Sequence, residues 1–211
     1  MTTVEHPKAL GLPLESGDRL TRDEFERRYC TRPDIKKAEL IEGVVYVASP
    51  VRIPQHAEPH GYMVFWLNAY RINHPLCRAA DNGTIRLDPD NEPQPDVMLF
   101  RAPDNGGQAR IDEDGYLVGA PELVVEISAS SASYDLGAKK EAYRRNGVQE
   151  YIVWQILERR IDWFRLANGA YQSVAANQAG VIESEVFPGL RLNVSAMLEG
   201  DLAAVQSALH S

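Results

Sequence analysis

Two acidic residues beside apolar runs are the residues most suited to chemistry in this chain. Glu126 stands inside the apolar run of residues 123–127, and Asp96 directly precedes the apolar residues 97–100. A carboxylate inside a buried strand is costly unless it is paired, hydrogen-bonded or bound to a metal. The alternatives are an edge-strand glutamate that faces solvent and a turn aspartate that follows a proline-rich loop.

Lys139 is the third candidate, because it lies in a predicted helix that follows the Glu126 strand after a linker of small residues. Asp135, Lys139 and Tyr143 recur at a spacing of four residues, which places them on one stripe of a helix over 135–145. This helix must begin near the end of the strand, so we expect Lys139 to reach the same cleft as Glu126. The alternative is an ordinary exposed Asp–Lys pair.

The first predicted hairpin adds a further acidic group, which is either Glu39 or Glu42. Glu42 precedes the turn glycine and is equally well explained as a turn charge. His56 and His60 have a spacing that suits two metal ligands on a helix, but Pro59 argues against a regular helix across them. At a helix start, His60 is expected to be either a polar cap or a group that supports a ligand residue from behind.

Asp96, Glu126, Lys139 and an acidic residue of the first hairpin together indicate phosphodiester hydrolysis. Two converging carboxylates repel unless a cation lies between them, and one or two carboxylates suffice to hold a hydrated Mg²⁺. Such a metal lowers the pKa of a bound water and polarises a phosphoryl oxygen. A nearby lysine positions the attacking water and offsets the charge that builds on the phosphate.

Composition limits the other function classes. The 211 residues, 44% of them hydrophobic, fit one globular domain, and 22 Lys+Arg against 30 Asp+Glu give a net charge of −8. Without a basic surplus, contact with nucleic acid must rest on a local basic patch or on bound cations. Cys30 and Cys77 are too few for a disulfide framework, the N-terminus does not resemble a signal peptide, and the apolar runs are too short for a membrane span. A cytoplasmic location is expected.

The elements that must position the candidate residues alternate between strands and helices. A capping box at residues 21–24 opens a short helix, and residues 49–59 are predicted to be a loop. Further helices are predicted at 60–72, at 135–145 and at 195–209 with a break at 200–201. Strands are predicted at 38–48 (a hairpin), 84–87, 97–100, 122–128, 150–154, 161–174 (a hairpin around Asn168-Gly169) and 181–186. This order predicts an α/β fold with a mixed central β-sheet flanked by helices.

Several segments in this order match a known family. They are Glu39-Leu-Ile-Glu-Gly43 with Ser49-Pro50, Pro95-Asp96-Val, Glu122-Leu-Val-Val-Glu126-Ile-Ser128, Ser133-Tyr-Asp135-Leu-Gly-Ala-Lys139, Tyr143 and Gly147-Val-Gln-Glu-Tyr151. Over residues 20–190 the sequence resembles the Uma2 family, also called DUF820, of restriction-endonuclease-like proteins. The resemblance implies the fold of the PD-(D/E)XK nuclease superfamily and a divalent-metal nuclease site.

The resemblance also implies a role for each matching residue. Asp96 and Glu126 would be the metal ligands, Lys139 the lysine of the site, and Glu39 the upstream acid. Ser128 stands where the superfamily pattern has its lysine, and the following helix supplies Lys139 instead. Residues 21–190 would form the nuclease domain, between an extended segment 1–20 and a C-terminal helical segment 191–211.

These observations predict an endonuclease that hydrolyses DNA with Mg²⁺ or Mn²⁺, with RNA as an alternative substrate. A homodimer is expected, because two sites cut two strands more readily than one and two-fold dimers are the commonest assembly. One rival is a non-catalytic nucleic-acid-binding or assembly module that retains the fold. Another is a glycosidase that uses two carboxylates and needs neither a metal nor a lysine.

Overall fold

The computed structural model describes residues 12–50 and 52–210. The strands are β1 (Ala38–Ile41), β2 (Val44–Val47), β3 (Cys77–Asp81), β4 (Ile85–Arg86), β5 (Val97–Arg101), β6 (Arg110–Ile111), β7 (Leu117–Val118), β8 (Leu123–Ser128), β9 (Glu150–Gln155), β10 (Arg160–Ala167), β11 (Ala170–Ser173), β12 (Val181–Glu183) and β13 (Arg191–Asn193). The helices are α1 (Arg22–Tyr29), α2 (Glu58–Ile72), α3 (Ala132–Asp135), α4 (Ala138–Asn146), α5 (Val194–Glu199) and α6 (Leu202–Ala208).

A six-stranded mixed sheet in the order β11-β10-β9-β8-β5-β3 forms the centre of the molecule. Strands β8 and β9 are parallel, and the other neighbours in this sheet are antiparallel. The predicted fold class, a mixed sheet flanked by helices, is confirmed. Strand β3 was not predicted, because the sequence Cys-Arg-Ala-Ala-Asp lacks the β-branched and aromatic residues that mark a strand.

The two faces of β8 pack against different layers, as the alternation of its residues predicted. Leu123, Val125 and Ile127 belong to the core that also contains α2 and the C-terminal helices. Val124 belongs to a second core, which includes Tyr143 of α4. Glu126 shares this second face and is buried in a central strand, so the alternative of a solvent-facing edge glutamate is wrong.

The hairpin β1–β2 lies beside α4 and packs its other side on α1. Its register, with Ala38 opposite Val47, confirms the predicted hairpin. Phe25 of α1 and Leu40 of β1 share one buried cluster. Thr21 stands at the N-cap of α1, but its side chain makes no capping hydrogen bond, so the predicted capping box does not form.

The segment before α2 is helical rather than a loop. A π-helical turn at Ile53–Ala57 leads directly into α2. Pro59 lies in the first turn of α2, directly after the π-helical turn, so the helical path changes its geometry next to the proline. The predicted loop over 49–59 is therefore wrong in its second half.

The predicted helix over 135–145 is two helices, α3 and α4, with a break at Gly137. The backbone of Gly137 has φ −105° and ψ −109°, and an added Cβ would lie 2.6 Å from the Ser133 carbonyl oxygen. Asp135 and Lys139 consequently lie on different helices, and the single stripe inferred from their spacing does not exist.

The C-terminal segment closes the sheet face that carries α2. Met197 of α5 and Val205 of α6 are buried in the same core as Trp66 of α2. Segment 191–211 begins with β13, which pairs with β12, before its two helices. An extended segment is predicted for residues 1–20, and residues 1–11 of this segment lie outside the described residues. None of the helices in the described ranges has the length and apolar character needed to cross a membrane.

Candidate active site

The register of two neighbouring strands brings Asp96 beside Glu126. Val97 of β5 lies opposite Val125 of β8 in an antiparallel pair, and one further step along this register places Asp96 opposite Glu126. The side chain of Glu126 lies on the face that carries α4, where Tyr143 contacts it. The backbone N–H of Ile127 donates a hydrogen bond of 2.8 Å to Oδ2 of Asp96, which holds this carboxylate against β8.

Lys139 joins Glu126 to Glu39. Its Nζ lies 2.8 Å from Oε1 of Glu126 and 2.8 Å from Oε1 of Glu39. The side chains of Lys139, Glu126 and Glu39 are only 3%, 4% and 9% exposed, respectively. The hydroxyl of Tyr143 donates a further hydrogen bond of 2.9 Å to Oε1 of Glu126. The structure therefore brings together three of the four predicted site residues by direct contact.

Local structure fixes the positions of Lys139 and Glu39. The break at Gly137 starts α4 one residue before Lys139, so the lysine projects from the first turn of the helix toward β8. Glu39 accepts a hydrogen bond of 2.7 Å from the backbone N–H of Gln94, in the segment that leads to Asp96. Each charged group of the cluster is thus held by a partner from another part of the chain.

The outer end of the cluster contains two further side chains with nitrogen atoms, Lys37 and His56, that the sequence does not place there. Nζ of Lys37 lies 3.1 Å from Oδ1 of Asp96, and Nε2 of His56 lies 3.3 Å from the same oxygen. A signal for Lys37 exists in the sequence, because it lies two residues before Glu39 and therefore on the same side of the chain entering β1.

The two histidines flank Asp96 from one helical path. Nε2 of His60 lies 2.9 Å from the main-chain oxygen of Asp96, and the rings of His56 and His60 are 6.0 Å apart. The prediction that Pro59 argues against a regular helix across them is confirmed, because His56 lies in the π-helical turn and His60 in α2. His60 forms a hydrogen bond with the backbone just before β5 and does not cap its own helix.

Two other candidate residues lie outside the cluster. Glu42 sits in the β1–β2 turn with φ 54° and pairs with Arg145 at the end of α4. Asp135 is buried and accepts hydrogen bonds from the hydroxyls of Ser128 and Ser131, which fixes the linker between β8 and α3. The contacts of Glu42 and of Asp135 stabilise the fold. For Glu42 this agrees with its alternative interpretation as a turn charge.

The two central carboxyl groups differ in their electrostatic environment. Burial raises the pKa of Glu126 to about 8, and the charges of Asp96 and Glu39 add to this effect while Lys139 opposes it. Burial also disfavours the ionised form of Asp96, but the His56 hydrogen bond and the charge of Lys37 outweigh it and lower the pKa of this carboxyl. Carboxylates raise the pKa of Lys139 well above its usual value, despite the burial of the ammonium group.

A comparison with family models decides the identity of the fold family. The model of Uma2, described as "Putative restriction endonuclease", matches residues 22–195. The chain belongs to the Uma2 family.

A solved structure supports the fold of this Uma2 protein. It is described as the crystal structure of "a putative nuclease belonging to DUF820" from Anabaena variabilis, and it superposes with a TM-score of 0.61 at 16% sequence identity. The match covers 82% of this chain and 96% of that chain. At this identity the likeness concerns the fold alone. A search of curated proteins finds no match.

The donor chemistry of this Uma2 site suits a hydrated divalent cation. Within the described ranges, no three His, Cys, Asp or Glu side chains are arranged as a ready set of metal ligands. Asp96 and Glu126 supply two buried carboxylates at neighbouring positions of two paired strand ends, and Mg²⁺ or Mn²⁺ bound with several waters needs no more. The ammonium group of Lys37 contacts Asp96, and that of Lys139 contacts Glu126. The surroundings of both carboxylates therefore already favour a positive charge.

Proposed function

We propose that this Uma2 protein is a divalent-metal-dependent endonuclease that hydrolyses DNA phosphodiester bonds. The observation that carries the proposal is the convergence of Glu39, Asp96, Glu126 and Lys139 from four separate elements of the fold. Three of these side chains are in direct contact, and the fourth is fixed against the backbone of the central strand. The family membership and the nuclease-like fold support the same reading.

Asp96 and Glu126 would hold the metal, Mg²⁺ or Mn²⁺. When bound, such a cation lowers the pKa of a bound water and polarises a phosphoryl oxygen. The chain's own residues prepare the site for it. Tyr143 and Lys139 both hold Oε1 of Glu126, which fixes the carboxylate on the α4 face, and Glu39 keeps the Lys139 ammonium in place. This ammonium is suited to offset negative charge that develops on a phosphate.

The acidic character of the chain is compatible with a polyanionic substrate. The net charge is −8, but the ammonium group of Lys37 stands at the partly exposed end of the cluster. A bound cation adds positive charge at the same place. Local charge therefore favours phosphate where the chain as a whole does not. RNA as an alternative substrate, a homodimer and a cytoplasmic location belong to the same proposal.

Cleavage of supercoiled plasmid with Mg²⁺ or Mn²⁺ tests the function, with EDTA reactions and a single-stranded RNA substrate alongside. Glu126→Gln keeps the shape of the side chain and an acceptor for Tyr143 but removes one metal ligand. Glu150→Gln is the matched control, because Glu150 is equally buried in the neighbouring strand but lies on the opposite sheet face, bound to Ser184.

We expect metal-dependent nicking or linearisation that EDTA and Glu126→Gln abolish and that Glu150→Gln retains. Cleavage that persists in EDTA, or equally in Glu126→Gln, would refute the metal-dependent mechanism. Mn²⁺ binding without cleavage of either nucleic acid would favour the rival reading of a non-catalytic module.

A further inference from the structure

The two oxygens of Asp96 have different surroundings. Oδ2 is committed to the backbone N–H of Ile127 inside the sheet. Among the described residues, Oδ1 contacts side chains, Nζ of Lys37 at 3.1 Å and Nε2 of His56 at 3.3 Å. Both of these side chains are 24% exposed, so Oδ1 faces the open end of the cluster.

Lys37 and Lys139 differ in their freedom to move. Lys139 is clamped between two buried carboxylates and is 3% exposed. Within residues 12–50 and 52–210, Lys37 pairs with the carboxylate of Asp96 and contacts the neutral side-chain oxygen of Asn82 at 3.2 Å. The backbone of Lys37 is fixed by the hydrogen bond from Ala48, so its side chain can turn outward without disturbing the hairpin.

The charges of the cluster favour an exchange at Oδ1. The carboxylates of Glu39, Asp96 and Glu126 with the ammonium groups of Lys37 and Lys139 leave one negative charge when all are ionised. A divalent cation changes this to one positive charge, which a single phosphodiester neutralises. A cation and an ammonium group on the same carboxylate oxygen repel each other strongly in a partly buried site. Lys37 must therefore leave Oδ1 when a cation arrives, and a phosphate is the group that restores neutrality.

We propose that Lys37 is a displaceable counter-ion, which holds Asp96 while no divalent cation is bound and binds a backbone phosphate of the nucleic acid once a cation takes its place. This inference rests on the proposed nuclease function and adds a substrate-binding role for a specific side chain. Lys37 is thereby a competitor of the metal and a partner of the substrate.

The variant Lys37→Met tests both roles in the full chain, because methionine keeps much of the apolar stem without the ammonium group. The first readout is Mn²⁺ affinity, measured from the free Mn²⁺ signal by electron paramagnetic resonance. The second is the affinity for a fluorescent DNA duplex in Ca²⁺, measured by anisotropy. Lys36→Met is the matched control, since the neighbouring Lys36 ammonium is exposed away from the cluster and donates to the carbonyl oxygen of Pro33. Lys37→Arg retains the charge and guards against a simple folding defect.

We expect Lys37→Met to bind Mn²⁺ about tenfold more tightly and DNA about tenfold more weakly, each the effect of one close charge contact. Lys36→Met should change Mn²⁺ affinity little, and Lys37→Arg should retain most DNA binding. Unchanged or weaker Mn²⁺ binding in Lys37→Met would overturn the competitor role, and unchanged DNA affinity would overturn the phosphate role. If the wild-type protein binds no Mn²⁺ and cuts no nucleic acid, the proposed function itself fails. If the wild-type protein binds Mn²⁺ and cuts nucleic acid, but Lys37→Met behaves like Lys36→Met, only this inference fails.

Discussion

The ammonium group of Lys139 lies 2.8 Å from a carboxylate oxygen of Glu39, a residue 100 positions earlier in the chain, and 2.8 Å from one of Glu126. This single side chain connects the hairpin β1–β2, the central strand β8 and the helix α4. A buried ammonium group of this kind persists only beside acidic partners, because an unpaired charge is costly to remove from water. The cluster therefore holds the hairpin, the central strand and α4 together, and it fixes the positions of the site's side chains.

Replacing the central ammonium should destabilise the protein strongly. We expect Lys139→Met to lower the free energy of unfolding by about 3–5 kcal/mol, because it leaves two buried carboxyl groups without their cation. The deficit should grow from neutral pH to pH 9, where Glu126 ionises. Urea unfolding at both pH values measures it. Lys140→Met is the control, since this ammonium lies over the Phe164 ring and contributes about 0.5–1 kcal/mol. Equal stability of the two variants would contradict the role of Lys139.

Binding of a divalent cation should release a proton near neutral pH. The pKa of Glu126 is raised to about 8, mainly by burial, so most molecules carry this proton at neutral pH and must lose it to bind metal. Mn²⁺ affinity should therefore rise with pH up to about 8. Calorimetry in buffers of different ionisation enthalpy measures the released proton. Wild-type heats that do not depend on the buffer would be inconsistent with a protonated Glu126 at the metal position.

A second buried acid should make stability depend on pH in a region outside the site. Burial raises the pKa of Glu92 to about 9, the neighbouring Glu26 adds to this effect, and Arg86 and Arg22 oppose it. Because the folded-state pKa lies above the ordinary value, the stabilising contribution of protonated Glu92 is fully present below the ordinary pKa of a glutamate. It is lost as the pH rises through about 9.

Thermal unfolding of Glu92→Gln from pH 6 to pH 10 checks this dependence. The variant should lose less stability than the wild-type protein over this range, because the amide does not ionise. Glu113→Gln is the control, as Glu113 is exposed and should follow the wild-type curve. A wild-type slope that Glu92→Gln leaves unchanged would assign the dependence to other groups.

The break between α3 and α4 should tolerate no side chain. In Gly137→Ala the new Cβ would meet the Ser133 carbonyl oxygen at 2.6 Å, so the helix start that carries Lys139 must shift. We expect a loss of about 1–3 kcal/mol and weaker Mn²⁺ binding. The same substitution at Gly61, inside α2 with no atom within 4 Å, should instead stabilise the protein by up to about 1 kcal/mol. Equal effects at the two positions would contradict the steric argument.

The central pair of the site was accessible to sequence reasoning because both residues belong to strong strand patterns. Glu126 and Asp96 border or interrupt apolar runs, and their register follows from two neighbouring strands. The sequence predicts that Lys139 reaches the Glu126 cleft, and it does, but one of the two arguments for this prediction is wrong. The short linker after β8 was informative, whereas the common helical stripe with Asp135 fails at Gly137, where steric contact ends one helix and starts another.

The outer end of the site was not accessible in the same way. Lys37 and Asp96 are 59 residues apart, and their contact depends on how the hairpin docks beside β5. The spacing of His56 and His60 marks them in the sequence, and Pro59 correctly argues against one regular helix across them. The change from a π-helical turn to α2, which brings both rings to Asp96, has no sequence signal. From the residues alone Glu39 and Glu42 remained equal candidates. Their separation depended on the family resemblance, and the structure brings only Glu39 to Lys139.

The most direct test of the central claim is the location of Mn²⁺ in crystals of the wild-type protein, measured by anomalous diffraction at the manganese absorption edge. The account predicts a peak between the carboxylates of Asp96 and Glu126, with the Lys37 ammonium displaced from Oδ1 of Asp96. The peak should vanish in crystals of Glu126→Gln and persist in Glu150→Gln. A manganese peak elsewhere, or none at saturating Mn²⁺ with Lys37 still on Asp96, would contradict the claim that these two residues hold the metal.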